Sequence, residues 1–555
     1  MLRVQGLTEI PSQTRKVAQA AFPNGSLVMA MRDELGTIYM DEQFQDLFAV
    51  RGQPAESPAL LALVIVLQFV EGLSDRQAAE AVRARIDWKY ALGLELTDPG
   101  FDYSILSEFR TRLVAGGAEQ RLLTALLKVF QARGLLKAGG RQRTDSTHVL
   151  AVIRQLNRLE LVGESMRYVL NQLAQTALDW LRDVASPDWY ERYGRRFDSF
   201  HLPDSPEKRQ ALVQQIGEDG YRLMTHAFAS AAPVSVRSAP CIEVLRQIWV
   251  QQYYLDFSGV SPRVALRSSD DLPPAEKHIL SPYDVDARYA RHNDKEWVGY
   301  RTHLTETCDA ETPIHLITQV ETVLAPTQDV EVTEQIHTDL TAQGLRPKEH
   351  FVDAAYVSAN LLAQATHADG VEVIGPVTKL QDVSWQAREQ TGYDIAHFRI
   401  DWEAKQVICP QGEASVKWVE NIKDRSGNAV IHVAFSPATC RTCPARILCT
   451  RSKLQGRTMQ LRPQEQHEAL QQARTEQTTP EFKHRYRSRL GIEGTISQAV
   501  RAFELRETRY LGLARTHLQA VALATAINLC RFWDYLNDTG LGQTRTSPLA
   551  ALATQ

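Results

Sequence analysis

Three acidic residues, far apart in the chain, sit where carboxylates can do chemistry. Glu493 closes the run Lys483-His-Arg-Tyr-Arg-Ser-Arg-Leu-Gly-Ile-Glu493, in which Tyr486, Arg489 and Glu493 are spaced i, i+3 and i+7. On a continuous helix these offsets project the same way, so an aromatic ring, a guanidinium and a carboxylate share one stripe flanked by cations. Asp145 lies in Gly140-Arg-Gln-Arg-Thr-Asp-Ser-Thr-His-Val-Leu-Ala-Val-Ile153, whose Thr, Val and Ile content predicts a strand. Asp353 lies in His350-Phe-Val-Asp-Ala-Ala-Tyr356, apolar up to the aspartate and helix-like from Val357. A carboxylate at a strand end, exposed as the chain turns, is where α/β folds build sites. Glu493 alone reads as a surface salt-bridge partner. Converging with the two aspartates, it completes an oxygen-rich site suited to Mg²⁺. Two such ions about 4 Å apart activate a nucleophile and stabilise the leaving oxygen of a phosphodiester.

A second constellation falls between Asp353 and Glu493. Cys409, Cys440, Cys443 and Cys449 follow the spacing C-x30-C-x2-C-x5-C and are four of the seven cysteines in the chain. A Cys-x-x-Cys pair in a chain with no secretory features points to metal rather than disulfides. Four thiolates with no open position suit structural Zn²⁺. Reduced cysteines without metal and an iron–sulfur cluster are the alternatives, since a cysteine tetrad does not by itself separate zinc from iron. Cys241, Cys308 and Cys530 stand in apolar settings and read as packing residues.

The net charge of −4 is low for a protein that neutralises phosphates. The distribution matters more than the sum. Between Glu481 and Arg515, eight cations (Lys483, Arg485, Arg487, Arg489, Arg501, Arg506, Arg509, Arg515) face four acids (Glu481, Glu493, Glu504, Glu507). A run of charge is usually a solvated face. Enclosing Glu493, this one reads as phosphate contact. The first residues lack a basic start followed by an apolar run, so no signal peptide is expected. The most apolar stretch, residues 59–70, falls short of the ~20 residues that cross a bilayer. These features predict a cytoplasmic protein with no membrane segment.

The elements that must position these residues follow from periodicity. At 555 residues the chain predicts about three or four domains. Residues 1–135 read as an all-helical N-terminal domain: a core helix over Leu60 to Phe69, a capping box at Ser74-Asp-Arg-Gln77 opening the next helix, then helices around Trp88 and over Phe101 to Leu113. Short helices with surface arginines suit helix-turn-helix DNA binding or oligomerisation equally well. A catalytic domain begins with its first strand in residues 136–155 and continues over 281–400. Between them, residues 156–280 read as an all-helical insertion, too long to be a loop. The four-cysteine insertion occupies 401–460. Residues 461–537 return to the catalytic domain with the glutamate helix and an apolar C-terminal helix, and 538–555 read as a flexible tail. Strands around Trp297 to Glu306, Ile314 to Val323, Asp353 and Val371 to Gly375 give an α/β core, a mixed sheet flanked by helices.

The chain resembles the DDE transposases of bacterial insertion sequences, with an InsH-like N-terminal domain and an RNase H-like catalytic core. The matching stretches are Thr144-Asp-Ser-Thr-His-Val, Leu156-Asn-Arg-Leu-Glu-Leu-Val-Gly-Glu, Gly299-Tyr-Arg-Thr-His-Leu-Thr-Glu-Thr, Val352-Asp-Ala-Ala-Tyr, Glu493-Gly-Thr-Ile-Ser-Gln and residues 506–519. The resemblance implies that Asp145, Asp353 and Glu493 are a catalytic triad holding two Mg²⁺ ions, with Mn²⁺ as a substitute. Tyr486, Arg489 and Glu493 match the family's Tyr-x2-Arg-x3-Glu signature. Two departures stand out. The family's lysine seven residues after the glutamate is Val500 here, with Arg501 next and about 80° around the helix from Glu493. The family's Asp-x-Gly-Tyr reads Asp-Ala-Ala-Tyr, so a backbone conformation needing glycine at Ala355 is closed.

The implied function is binding of an element's terminal inverted repeats, metal-dependent strand cleavage, and transfer of the freed ends to target DNA. Two ends to be held together imply a homodimer on double-stranded DNA, in a bacterial, nucleoid-associated protein. Tyr486, Arg487, Arg489, Arg501, Arg506 and Arg509 are the expected DNA contacts. The competing readings are a catalytically inactive DNA-binding repressor or structural protein, and a metal-dependent nuclease that never joins strands. All three acids being present argues against the first; only product analysis separates the second.

Overall fold

Arg141 to Leu150 forms the central strand (β1) of a mixed sheet, because Thr144, Thr147 and Val149 suit an extended backbone and its neighbours supply partners on both edges. The computed structural model describes residues 2, 9–198, 202–259, 261–364, 370–377, 384–424 and 427–538. The tail expected at 538–555 lies, from residue 539 on, outside the described residues.

Among the described residues, seven α-helices precede β1: α1 (Ser12–Ala21), α2 (Leu27–Leu35), α3 (Pro58–Val70), α4 (Asp75–Ala84), α5 (Ile86–Leu92), α6 (Ser104–Ala115) and α7 (Arg121–Ala132). The capping box at Ser74 forms, with Gln77 reaching back to the Ser74 N–H. α3 is buried along nearly its whole length, and it meets α4 at 111°. No single helix among the described residues is long and apolar enough to cross a membrane.

After β1 come α8 (Arg158–Thr176), α9 (Leu178–Val184), α10 (Pro187–Tyr193), α11 (Pro206–Ala227), α12 (Val234–Arg237) and α13 (Pro240–Gln252). They enclose a core of their own around Trp189, Ile216, Leu245 and Trp249. The segment is not wholly helical, contrary to its periodicity. β2 (Tyr253–Asp256) and β3 (Arg263–Leu266) pair as an antiparallel hairpin continuing α13. The apolar period of α13 runs on through Tyr253 and Leu255, which hides the change from helix to strand.

The sheet is completed by β4 (Arg288–His292), β5 (Lys295–Thr307), β6 (Ile317–Leu324), β7 (Glu349–Phe351) and β8 (Glu372–Ile374). Its order is β4-β5-β1-β7-β8, with β6 also paired to β5. β5 runs antiparallel to β1, β4 and β6, whereas β7 is parallel to β1 and β8 parallel to β7. The parallel crossovers pass through α14 (Asp329–Ala342) and α15 (Ala359–Gln364). Where β1 and β5 cross at Leu150 and Gly299, a side chain at 299 would put its Cβ 2.1 Å from the Val149 carbonyl oxygen, so only glycine fits.

Beyond the sheet lie α16 (Trp385–Glu389), β9 (Arg399–Asp401), β10 (Gln406–Ile408), β11 (Lys417–Lys423), β12 (Ala429–Ala434), α17 (Pro437–Thr442), α18 (Arg446–Cys449) and β13 (Thr458–Leu461). This cysteine-bearing segment has its own small core of Phe398, Val407, Val433 and Phe435. α19 (Gln464–Glu476), α20 (Pro480–Tyr486), α21 (Gly491–Phe503) and α22 (Leu513–Leu536) end the described chain.

α22 is apolar nearly all round because it is buried on two sides. It packs among α3, α7 and the sheet residues Leu304, Ile317 and Val320 in one continuous core. Its buried Asn528 both accepts from the Ile317 N–H and donates to the Ile317 carbonyl, at 2.8 Å each, pinning the helix to β6. The N-terminal helices therefore share a core with the sheet.

Candidate active site

Asp145 sits mid-strand in β1, Asp353 two residues past the end of β7, and Glu493 on the third residue of α21. Strand pairing brings β1 and β7 side by side, with Arg143 opposite Phe351. The helical segment bearing Glu493 lies over the same end of the sheet. Arg489 donates to Asp145 Oδ2 at 2.6 Å through one Nη and to Glu493 Oε1 at 3.0 Å through the other. Its Nε, also buried, has no hydrogen-bond partner among the described residues.

The helix expected to carry Tyr486, Arg489 and Glu493 is broken. α20 ends at Tyr486, a 3₁₀ turn spans Arg487–Leu490, and α21 starts at Gly491. A 3₁₀ turn advances 120° per residue rather than 100°, so the three side chains diverge. Tyr486 turns inward, stacked on Phe482 over Phe351, and its hydroxyl donates to the Val352 carbonyl next to Asp353. Burial pushes its phenol up to about 12. Arg489 lies under the surface between two carboxylates, and Glu493 is 61% exposed.

Burial also pushes the Asp145 carboxyl up to about 6; Arg489 and the Ser146 N–H oppose the rise, while the charges of Asp353 and Asp329 add to it. Two further carboxylates thus bear on Asp145. Asp353 itself accepts the Ala355 N–H at 2.6 Å, closing a turn that needs no glycine at Ala355.

Sequence reasoning missed the neighbours on the other face of β1. Asp329, the first residue of α14, pairs with Arg301 at 2.7 Å and accepts from the Ser146 hydroxyl at 3.3 Å. His303, fully buried, bonds the Tyr356 hydroxyl at 2.7 Å. Arg301 and His303 belong to the Gly299-Tyr-Arg-Thr-His stretch, whose unusual density of polar residues in a strand was the available signal. Asp329 gave none, since an acid opening a helix is ordinary.

Not every expected DNA contact is available as it stands. Arg506 donates to Thr147 Oγ1 at 2.9 Å, and Arg509 donates to the Leu73 carbonyl while covering the Phe69 ring. Arg485 pairs with Glu349 and Glu372, tying α20 to β7 and β8. Among the described residues, Lys483, Arg487 and Arg501 are exposed without an ion pair.

Cys409, Cys440, Cys443 and Cys449 line one cavity of about 100 Å³, between the β9–β10 hairpin, α17 and α18. Burial pushes the Cys449 thiol up to about 11, and the other three cysteines add to the rise. Neither here nor at the carboxylates do three or more His, Cys, Asp or Glu side chains among the described residues already form a cage able to hold a metal ion. At the carboxylates the reason is visible, because the Arg489 guanidinium occupies the space between Asp145 and Glu493.

Residues 408–533 match a family model described as a transposase DDE domain, and residues 17–112 match a transposase domain (DUF772). The two matches support a DDE-type insertion-sequence transposase. No curated protein and no solved structure matches it. The first match takes in the four cysteines, Arg489 and Glu493 but neither aspartate, and the second covers α2 through α5 with half of α1 and most of α6. Both matches indicate a DNA-processing enzyme in general, and DDE domains generally use divalent metals.

Proposed function

We propose that this transposase binds the terminal inverted repeats of an insertion sequence and catalyses Mg²⁺-dependent strand cleavage and strand transfer on an RNase H-like core. The observation that carries the reading is the bridge from Asp145 through Arg489 to Glu493, with the charge of Asp353 acting on Asp145. It draws the first and third acids to one guanidinium across most of the chain. The sheet supports the same reading: three antiparallel strands β6-β5-β1, then two parallel strands β7 and β8 reached through helices, are the connections of an RNase H-like core.

The donor set fits hard divalent cations. Asp145, Asp353 and Glu493 offer carboxylate oxygens only, and at Asp145 the effect of burial and of the Asp353 charge is opposed at present by one arginine. These three residues would hold the ions, which when bound supply Lewis acidity to the scissile phosphate and activation of the attacking oxygen. The chain's own residues do the rest. Arg489, once displaced from the carboxylates, presents a fork matched to phosphate oxygens. Tyr486 braces the Asp353 turn through the Val352 carbonyl. Lys483, Arg487 and Arg501 contact the DNA backbone, and two copies hold the two ends.

The cysteine cavity fits structural Zn²⁺ in donor chemistry, four thiols around one space in a segment with a small core. Cys409, Cys440, Cys443 and Cys449 would hold the ion, and their ligation would fix the segment that leads into α19 and α20.

The test is a product analysis. Purified protein, labelled duplexes carrying the repeats that flank the gene, and Mg²⁺ should yield nicked ends and then new joints to target DNA. Cut ends without joints would identify a nuclease, and binding without cutting a repressor.

A further inference from the structure

Directly behind the glutamate helix lies a buried charge network that the reaction does not use. Glu306 on β5 is fully buried and faces two arginines. Arg143, its cross-strand neighbour on β1, donates to Oε1 at 2.7 Å, and Arg531 on α22 donates to Oε2 at 2.8 Å. Burial alone would raise this carboxyl; the two guanidinia and the Thr495 hydroxyl outweigh it and hold it below its ordinary value. A buried pair of this kind adds little net stability, because desolvation offsets the attraction. What it does is fix geometry.

The network grips the Glu493 segment on both sides. Upstream, Arg143 donates to the Ser488 carbonyl at 2.7 Å, and Arg141 to the Ser488 hydroxyl at 3.0 Å. Downstream, the Thr495 hydroxyl donates to Glu306 Oε2 at 2.6 Å and receives Arg531 at 2.6 Å. Residues two apart on a helix point about 200° apart. Thr495 is thereby held inward, 3% exposed, and Glu493 is presented outward. Gly491 allows the approach, since a Cβ there would meet the Arg143 guanidinium at 2.1 Å.

The geometry points to Glu306 as a positioning residue, whose contacts with Arg143, Arg531 and Thr495 set the height and rotation of Glu493 over the strand bearing Asp145. The same strand residue that orders the glutamate segment, Arg143, stands two residues from Asp145, so one network references both carboxylates to a single frame. This inference rests on the carboxylate metal site proposed above.

The experiment measures Mn²⁺ uptake by the full chain, following free Mn²⁺ by electron paramagnetic resonance, for the wild type, Asp145→Asn, Glu306→Gln and Thr495→Val. Glu306→Gln keeps size and removes the charge that holds both arginines. It should weaken Mn²⁺ binding about tenfold, the scale of loss seen when outer-shell partners of metal ligands are removed. Thr495→Val should weaken it less, in the same direction, at temperatures well below either variant's unfolding. A purely structural role would lower the Tm and leave the affinity unchanged. If Glu306→Gln and Thr495→Val bind as wild type while Asp145→Asn does not, the positioning role is wrong and the metal site stands. If Asp145→Asn titrates like the wild type, the metal site is wrong and the positioning role falls with it. Should Glu306→Gln fail to fold, Thr495→Val decides.

Discussion

Arg489 reaches Asp145 at 2.6 Å across 344 residues of sequence, and the same guanidinium reaches Glu493 at 3.0 Å four residues on. The local pairing was legible in the spacing as an ordinary i, i+4 ion pair. The long-range one sets a guanidinium against Asp145, whose anion burial and the charges of Asp353 and Asp329 disfavour.

Lysine cannot reproduce that fork, because a single ammonium does not serve two carboxylates and then a phosphate bidentately. Arg489→Lys should lower strand cleavage by about tenfold or more, roughly 1.4 kcal/mol in barrier, and change the Tm little. Quench-flow or gel assays of cleavage, set beside calorimetry, check it; a rate within about twofold of wild type removes Arg489 from the chemistry.

Asp145→Asn, Asp353→Asn and Glu493→Gln should each abolish cleavage and leave binding of the terminal repeats near wild type, since each keeps size and removes a charge. Band-shift and cleavage assays on the same preparations decide this. Full Mg²⁺-dependent activity in any one variant excludes that residue.

The Asp145 carboxyl, pushed up to about 6, must lose its proton before it can hold a metal. Below that pH, protons and cations compete. The Mg²⁺ concentration giving half-maximal cleavage should therefore be flat above pH 7 and rise as pH falls through 6. A flat response down to pH 5 contradicts the role of Asp145.

Glu321 on β6 gives a stability prediction with the opposite arithmetic to a salt-bridged acid. Burial, with Asp339 nearby, pushes it up to about 7 from the ordinary 4.5. Its contribution to stability is complete below pH 4.5 and is lost as pH rises through 7. Glu321→Gln removes the group that ionises, so it should raise the Tm relative to wild type at pH 8, and much less at pH 5. Calorimetry at the two pH values is the check.

Elemental analysis of the purified chain should find about one zinc per molecule. Cys443→Ser should lower the Tm before it lowers cleavage measured at 25 °C. An active, folded protein with neither zinc nor iron excludes a metal at Cys409, Cys440, Cys443 and Cys449.

The sequence by itself determined the elements and the residue types. The buried helix over Pro58–Val70, the capping box at Ser74, the strands around Asp145 and Trp297, and the apolar C-terminal helix are written in local periodicity, which depends only on neighbours a few residues away. The Asp, Asp and Glu candidates and the cysteine spacing were equally plain. Only the tertiary structure decided how they meet. The Tyr486 helix breaks at a 3₁₀ turn where Arg143 and Arg141 bond Ser488 from another element, partners that no local pattern encodes. The hairpin after α13 hid because an apolar run suits helix and strand alike. Asp329 and Glu306 were invisible because their roles depend on partners brought together by strand register and helix packing. The same holds for the basic run: its cations looked alike in sequence, and packing sent Arg485, Arg506 and Arg509 to partners within the protein while leaving Lys483, Arg487 and Arg501 facing solvent.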